Sequence, residues 1–212
     1  MAVHPGNPKR IYAGTGGFHG GWLFYSDNRG DEWKPVPERG HNRFLLNGIN
    51  SITINPLNSR DIWVATSRRS NLLHSEDHGI TWRLVDFIDA GRIVDPIKFN
   101  IQTSKLYAMV GEHGLYKTSI QKLNWIKIPM PDSLKVFPVG LEFTGPENRI
   151  PILATGHGVL KKSNGNWMPK NENFPNPHVR SMTTPNGKIF YTGITRSTSL
   201  NSPGGIYVRK FE

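Results

Sequence analysis

Apolar stretches of four to seven residues alternate with polar and glycine-rich turns along the whole chain. The stretches are rich in Ile, Val, Tyr, Leu and Thr, whose branched or aromatic side chains suit the pleated surface of a strand. Gly, Pro, Asn or Asp bounds each of them, so the pattern reads as strands joined by tight turns. No window repeats its apolar positions at helical spacing. The stretch SITINPLNSRDIWVATSRRSNLLHSEDHGITWRLV (51–85) shows the unit most fully. One apolar stretch ends in a Pro-bearing turn and a second carries Val-Ala-Thr. After a polar turn, a third enters Ser-x-Asp, and a fourth opens with Trp. Residues 2–36 keep the same order, 96–128 keep the framework without the aspartate, and 140–169 keep Ser163, Gly165 and Trp167. Residues 181–212 hold the first three stretches. Trp33, Trp82, Trp125 and Trp167 mark the repeats at spacings of about 42 to 49 residues.

Four strands in each 40–50 residues, repeated, predict the blades of an all-β β-propeller. The expectation is a single domain, 1–212, of about five four-stranded blades with the last incomplete. The repeats fall at approximately 1–46, 47–93, 94–135, 136–176 and 177–212. The alternative is that these blades form part of a larger propeller. An open ring exposes sheet edges, which invite self-association.

Composition agrees with many turns, since 22 Gly and 16 Pro are spread along the 212 residues. Mean hydropathy is −0.45, and nothing approaches the roughly 20 apolar residues that span a bilayer. MAVHPGNPKR has no apolar run after its charges, so no signal peptide is visible and the compartment is unassigned. The absence of cysteine excludes disulfides and thiolate chemistry. The net charge of +10 is uneven: residues 1–93 carry eleven Lys/Arg against nine Asp/Glu, and 94–212 carry fifteen against seven. That excess suits an anionic ligand, a glycan or a protein partner, although no Lys/Arg run exceeds two residues and a soluble basic surface would read the same way. Nucleic acid is not expected, because Phe18, Trp22 and Tyr191 occupy positions the strands themselves need.

Ser75-x-Asp77-x-Gly79-x-Thr81-Trp82 has the chemistry of a capped turn. A short carboxylate accepts the N–H groups that a tight reversal leaves unpaired, Gly supplies positive φ, and Trp buries a large apolar face. In the first repeat, SDNRGDEW places Ser26, Asp27, Gly30 and Trp33 in a related pattern, one residue out of register. The later copies keep Trp125 and Trp167 while losing the acid. On these residues the chain resembles the BNR/Asp-box, sialidase-like β-propellers. Its Asn-Pro turn and Tyr-Ala-Gly-Thr strand are similar to those of xyloglucan-active glycoside hydrolases, photosystem II assembly factors and sortilin-type ectodomains. The resemblance implies that the box is structural and lies between the third and fourth strands, on the side away from the ligand face.

Strand alternation sends the turns between second and third strands to the same face as the links between blades. Those turns carry His19, Arg68, Arg69, His113, His157 and Arg196, and the links add Arg43, Arg92, His178 and Arg180. One cation-capable side chain per blade suits a carboxylate, sulfate or phosphate. The competing reading is that Gly-His-Gly simply fills a tight hairpin with His in solvent. A three-histidine metal site is disfavoured because the repeats spread the histidines over different blades, so no metal or cofactor is expected.

Three features point toward enzymes. Arg149-Ile150-Pro151 resembles the sialidase Arg-Ile-Pro motif, but that motif precedes the first box, whereas here it stands in the fourth repeat. In the xyloglucan-active group a catalytic aspartate follows the Tyr-Ala-x-Thr strand, where YAGTGG has Gly16. Asp86, Asp89 and Asp95 cluster in the entry to the third repeat, and Asp89 with Asp95 is the candidate carboxylate pair. Such acids also solvate a loop or pair with Arg92. The expectation is therefore a non-catalytic binding or assembly module with a preference for anionic ligands or partners. The alternative is a xyloglucanase- or sialidase-like glycoside hydrolase.

Overall fold

A computed structural model describes residues 1–16, 20–37, 40–67, 72–85, 94–130, 138–145, 149–156, 158–171, 179–184, 188–194 and 205–210. The first sheet contains β1 (Ala2–Val3), β2 (Ile11–Gly14), β3 (Leu23–Ser26) and β4 (Lys34–Pro35). The second contains β5 (Ile49–Ile54), β6 (Ile62–Thr66), β7 (Leu72–Ser75) and β8 (Arg83–Val85). The third contains β9 (Val94–Asn100), β10 (Lys105–Val110), β11 (Leu115–Ser119) and β12 (Ile126–Ile128). The fourth contains β13 (Pro138–Thr144), β14 (Ile150–Thr155), β15 (Gly158–Ser163) and β16 (Asn166–Pro169), and the fifth β17 (Val179–Thr183), β18 (Ile189–Ile194) and β19 (Gly205–Lys210). In every sheet the spatial order follows the chain, and the paired strands are antiparallel. Four sheets have four strands and the fifth has three among the described residues. This is the blade architecture of a β-propeller. Among the described residues no helix is long and apolar enough to cross a membrane.

Contacts divide the chain into two compact units, Met1–Val110 with Tyr116–Ile126, and Gly111–Leu115 with Lys127–Glu212. In the first unit, β6 shows why its sequence, IWVAT, is apolar without alternation. All five residues are buried, as expected of a strand covered on both faces. Side chains alternate across a strand. Ile62 and Val64 therefore join a cluster with Tyr12, Leu23, Leu73 and Trp82, while Trp63 and Ala65 join another with Val94, Phe99, Leu106 and Ala108. One strand thus serves two sheet-to-sheet cores. The fourth strands are only part-covered: β8 and β12 each bury one residue of three.

Close approach dictates residue size at the strand ends. A Cβ on Gly14 would lie 2.3 Å from Cβ of Ile49, so β5 packs against the bare backbone of β2. The unpaired edge of β9 is capped by hydroxyls of β5. The amide of Ile97 donates to Ser51 Oγ at 3.1 Å, and that of Phe99 to Thr53 Oγ1 at 3.2 Å. These bonds satisfy edge groups that neither sheet would otherwise pair. In the second unit Gly140 plays a similar part, with a virtual Cβ 3.3 Å from the amide nitrogen of Met182. There Ile152, Ala154, Val159, Val179 and Met182 form the core.

Two short 3₁₀ segments, Gly40–Asn47 and Gly111–His113, accompany the strands of this all-β fold. The first buries Leu45 against the Tyr12–Trp82 cluster. An element this short, fixed by tertiary contact, has no long periodic signature.

A buried polar network closes one end of the second sheet. His74 is 3% exposed and its ring stacks on Trp63, with centroids 3.9 Å apart. Its Nε2 lies 3.1 Å from Asp61 Oδ1, and its Nδ1 lies 2.7 Å from Arg83 Nη2. Asp61 Oδ2 accepts from the side-chain amides of Asn55 and Asn58. Arg83 can only donate, so Nδ1 accepts, and the proton of a neutral ring sits on Nε2 toward Asp61. Burial first, then the Arg83 charge, holds the His74 pKa below its ordinary 6.5, against the opposing pull of Asp61.

Two outcomes test this packing. Gly14→Val forces Ile49 aside and should lower stability by about 1–3 kcal/mol, seen as a reduced urea midpoint at unchanged slope. For His74, the unfolded state takes up its proton before the folded state does as pH falls. Its stability contribution is therefore intact above the ordinary value of 6.5 and is lost as pH drops through that value toward the lowered folded pKa. Urea midpoints from pH 8 to 5 should fall more steeply for the wild type than for His74→Gln.

Candidate functional site

The turn after β7 has the geometry of a carboxylate-capped loop. His78 and Gly79 have φ of +60° and +82°, and the amide of Gly79 donates to Ser75 Oγ at 2.8 Å. Asp77 Oδ1 accepts the amides of Ile80 at 3.1 Å and Thr81 at 2.9 Å and the Ser75 hydroxyl at 2.8 Å, while Oδ2 accepts the Thr81 hydroxyl. Burial alone would raise this carboxyl, but the bonds from Thr81, Ser75 and Ile80 hold it below its ordinary pKa. An acceptor committed to four donors is a poor proton carrier. Trp82 is 5% exposed and its indole donates to Gly79 O. The first sheet adds a tie across sheets, with the Tyr12 hydroxyl donating to His78 O at 2.7 Å.

The first repeat corrects one assignment. The residue doing this work is Asn28, not Asp27. Asn28 Oδ1 accepts from the Ser26 hydroxyl and from the amide of Glu32, and Ser26 Oγ accepts from Gly30. Asp27 instead pairs with Arg10. Ser26-x-Asn28-x-Gly30 has the same spacing as Ser75-x-Asp77-x-Gly79. A side-chain amide oxygen can replace the carboxylate, whereas an acid one residue out of step reaches different partners. Trp33 is also unlike its counterparts: it is 40% exposed, against 6% for Trp167, whose indole donates to Pro129 O. Trp125 packs at the margin of the core shared by the second and third sheets. In the fourth sheet the long turn has shrunk to Asn164-Gly165, with φ of +47° and +83°, the Asn-Gly pair favoured in a two-residue hairpin.

Of the cation-capable residues picked out by sequence, His113 and Arg180 have described side chains. His113 ends the short 3₁₀ turn between β10 and β11, and its Nε2 is buried with no hydrogen-bond partner among the described residues. Arg180 is exposed on β17. Arg43 lies in the 3₁₀ helix Gly40–Asn47, with its side chain outside the described set. His19, Arg68, Arg69, Arg92, His157, His178 and Arg196 lie outside the described residues.

Among the candidate acids, Asp95 stands half-buried on β9, the first strand of its sheet. Burial pushes its carboxyl up to about 6. Asp86 and Asp89 lie outside the described residues. Phe18 is also outside them, while the Trp22 indole donates to Val36 O.

Sequence reasoning missed the Asp61–His74–Arg83 network. The ligand atoms of Asp61, His74 and Glu76 lie within 4.8 Å of one another, a spacing that fits a metal. The donors do not fit one, because both His74 nitrogens are engaged and Arg83 brings a positive charge to the same place. The only signal in the sequence was a histidine just before the box serine in an otherwise apolar strand.

The sequence matches no protein-family model and no curated protein. Solved structures do resemble it. The GH74 xyloglucanase from Xanthomonas campestris aligns over 98% of this chain and 35% of its own, with a TM-score of 0.71 and 15% identity. An ancestral GH74 enzyme aligns over 99% and 32%, with a TM-score of 0.68 and 20% identity. YCF48 bound to D1 peptide aligns over 92% and 68%, with a TM-score of 0.58 and 16% identity. The chain spans about a third of the length of these GH74 enzymes. At such identities the likeness extends to the fold, and both hydrolases and a peptide-bound protein share it: the chain is a β-propeller.

Proposed function

We propose that this propeller is a non-catalytic binding or assembly module, and that it takes anionic groups on the face bearing the turns between second and third strands. The observation that carries the reading is His113. A buried ring nitrogen with no hydrogen-bond partner among the described residues is poised to meet a ligand group. Its turn has counterparts in the other repeats that supply His19, Arg68, Arg69, His157 and Arg196, with Arg43, Arg92, His178 and Arg180 in the links. The excess of positive charge supports the same preference. The peptide bound to the YCF48 neighbour supports a protein partner.

A glycoside hydrolase is the second reading, favoured by Asp95. A carboxyl raised to about 6 by burial resembles a general acid that keeps its proton near neutrality. It needs a second carboxylate about 5–9.5 Å away, and Asp89 is the candidate.

Thermal-shift titration separates the two readings. An acidic glycan, a phosphate compound or an acidic peptide should raise the melting midpoint, reaching about 2.7 kcal/mol of stabilisation at a hundredfold excess over Kd. His113→Ala should reduce the rise. A midpoint raised only by a neutral β-glucan, with release of reducing sugar, overturns the binding reading. Asp95→Asn gives a second measurement. The folded state keeps the Asp95 proton to about pH 6 while the unfolded state loses it near 3.8. This costs stability as pH rises between those values. The variant should therefore melt higher than wild type at pH 7.5 and close to it at pH 4. The hydrolase reading adds that any sugar release falls by about 10²–10⁴.

A further inference from the structure

The third sheet ends differently from the second at the side of the box turn. Where the second has Asp61 just before the first apolar residue of β6, the third has Lys105 in β10. Where His74 precedes the terminal serine of β7, Thr118 precedes Ser119 in β11. Arg83, which follows Trp82, is matched by Ile126 after Trp125. The turn after Ser119 carries Gln121 in place of the box acid and is one residue shorter, with Leu123 at φ +49°. The compensated acid–histidine–arginine network is thereby exchanged for a lysine, a hydroxyl and an apolar residue.

These substitutions leave a pocket of about 210 Å³, lined by Lys105, Lys117 and Lys122 together with Ser119 and Asn124. Thr118, whose hydroxyl donates to Ser119 O, and Ile126 complete the lining. Lys105 and Lys117 are half-buried, while Lys122 and Asn124 are exposed. Among the described residues, no aspartate or glutamate contributes to the lining. Like charges around one small concavity raise each other's energy unless an anion enters. The lining residues carry three ammonium groups, a Ser119 hydroxyl and an Asn124 amide, side chains of the kind a tetrahedral oxyanion accepts hydrogen bonds from.

We infer that this pocket binds an oxyanion, a phosphoryl or sulfate group carried on a larger molecule. It is formed by β10, β11, the turn after Ser119 and the start of β12. It does not depend on His113 or on the turns between second and third strands.

The test is titration of the full chain with sodium phosphate and with sodium sulfate, followed by amide NMR shifts. Saturable shifts are expected at Ser119, Lys122 and Asn124. Changing Lys105, Lys117 and Lys122 together to Gln should weaken binding at least tenfold. A control triple changing the exposed Lys9, Lys34 and Lys210 to Gln removes the same charge and should retain it. If the first triple is poorly folded, Lys122→Gln alone, in an exposed turn, should weaken binding at least threefold. A phosphoserine peptide and a sulfated disaccharide then distinguish the source, with the tighter one naming the natural carrier. Non-saturable shifts, or equal loss in both triples, would reduce the effect to general surface charge and overturn the site. Retention of binding in His113→Ala separates this pocket from the anion-binding face.

Discussion

Burial of the second strands on both faces is the constraint on which the rest of this structure depends. A sheet with one buried face tolerates polar residues at every other position, but β6 packs into a core on each side, and β6, β10 and β14 bury nearly every residue. Each such strand must be apolar in both registers, because both of its faces leave water. Small residues then appear where backbones meet: Gly14 under Ile49 and Gly140 beside Met182. The hydroxyls of Ser51 and Thr53 follow from the same geometry, because neighbouring sheets close enough to bury their strands are close enough to share edge hydrogen bonds.

The polar ends of the sheets meet a second requirement, that a tight turn satisfy its own amides. Asp77 and Asn28 achieve this with different charge and the same oxygen position. The fourth sheet dispenses with the acceptor by shortening the turn to Asn164-Gly165. The third dispenses with it differently and leaves a basic concavity beside Lys122. A shared framework with unequal turns is how a repeat fold acquires local chemistry: the core demands similarity, while the solvent-facing ends are free to vary. The buried Asp61–His74–Arg83 network belongs to the same variation, as a charge-compensated ending of the second sheet.

Much of the fold was legible along the chain. Strand length, turn residues and the recurrence of Trp82, Trp125 and Trp167 are local properties, and they marked out consecutive antiparallel sheets. The turn at Ser75, Asp77 and Gly79 was legible as a self-capped reversal, because its hydrogen-bond partners lie within six residues. The first repeat misled at Asp27: an acid one position from the expected place attracts attention, yet the oxygen at the right spacing belongs to Asn28. The exposure of Trp33 was not legible either, since the same residue at the same repeat position is covered only when a neighbouring segment lies over it.

What the sequence by itself determined, then, is the order of strands and turns and the chemistry of each turn, because those interactions span few residues. Tertiary structure alone decided which face of β6 joined which core. It also decided that His74 stacks on Trp63 between Asp61 and Arg83, that His113 turns a ring nitrogen inward, and that Lys105 meets Lys117 and Lys122 around one hollow. Each of these joins residues from different strands or turns. Their distance is set by how strands pair and sheets pack, and neither composition nor spacing along the chain encodes it directly.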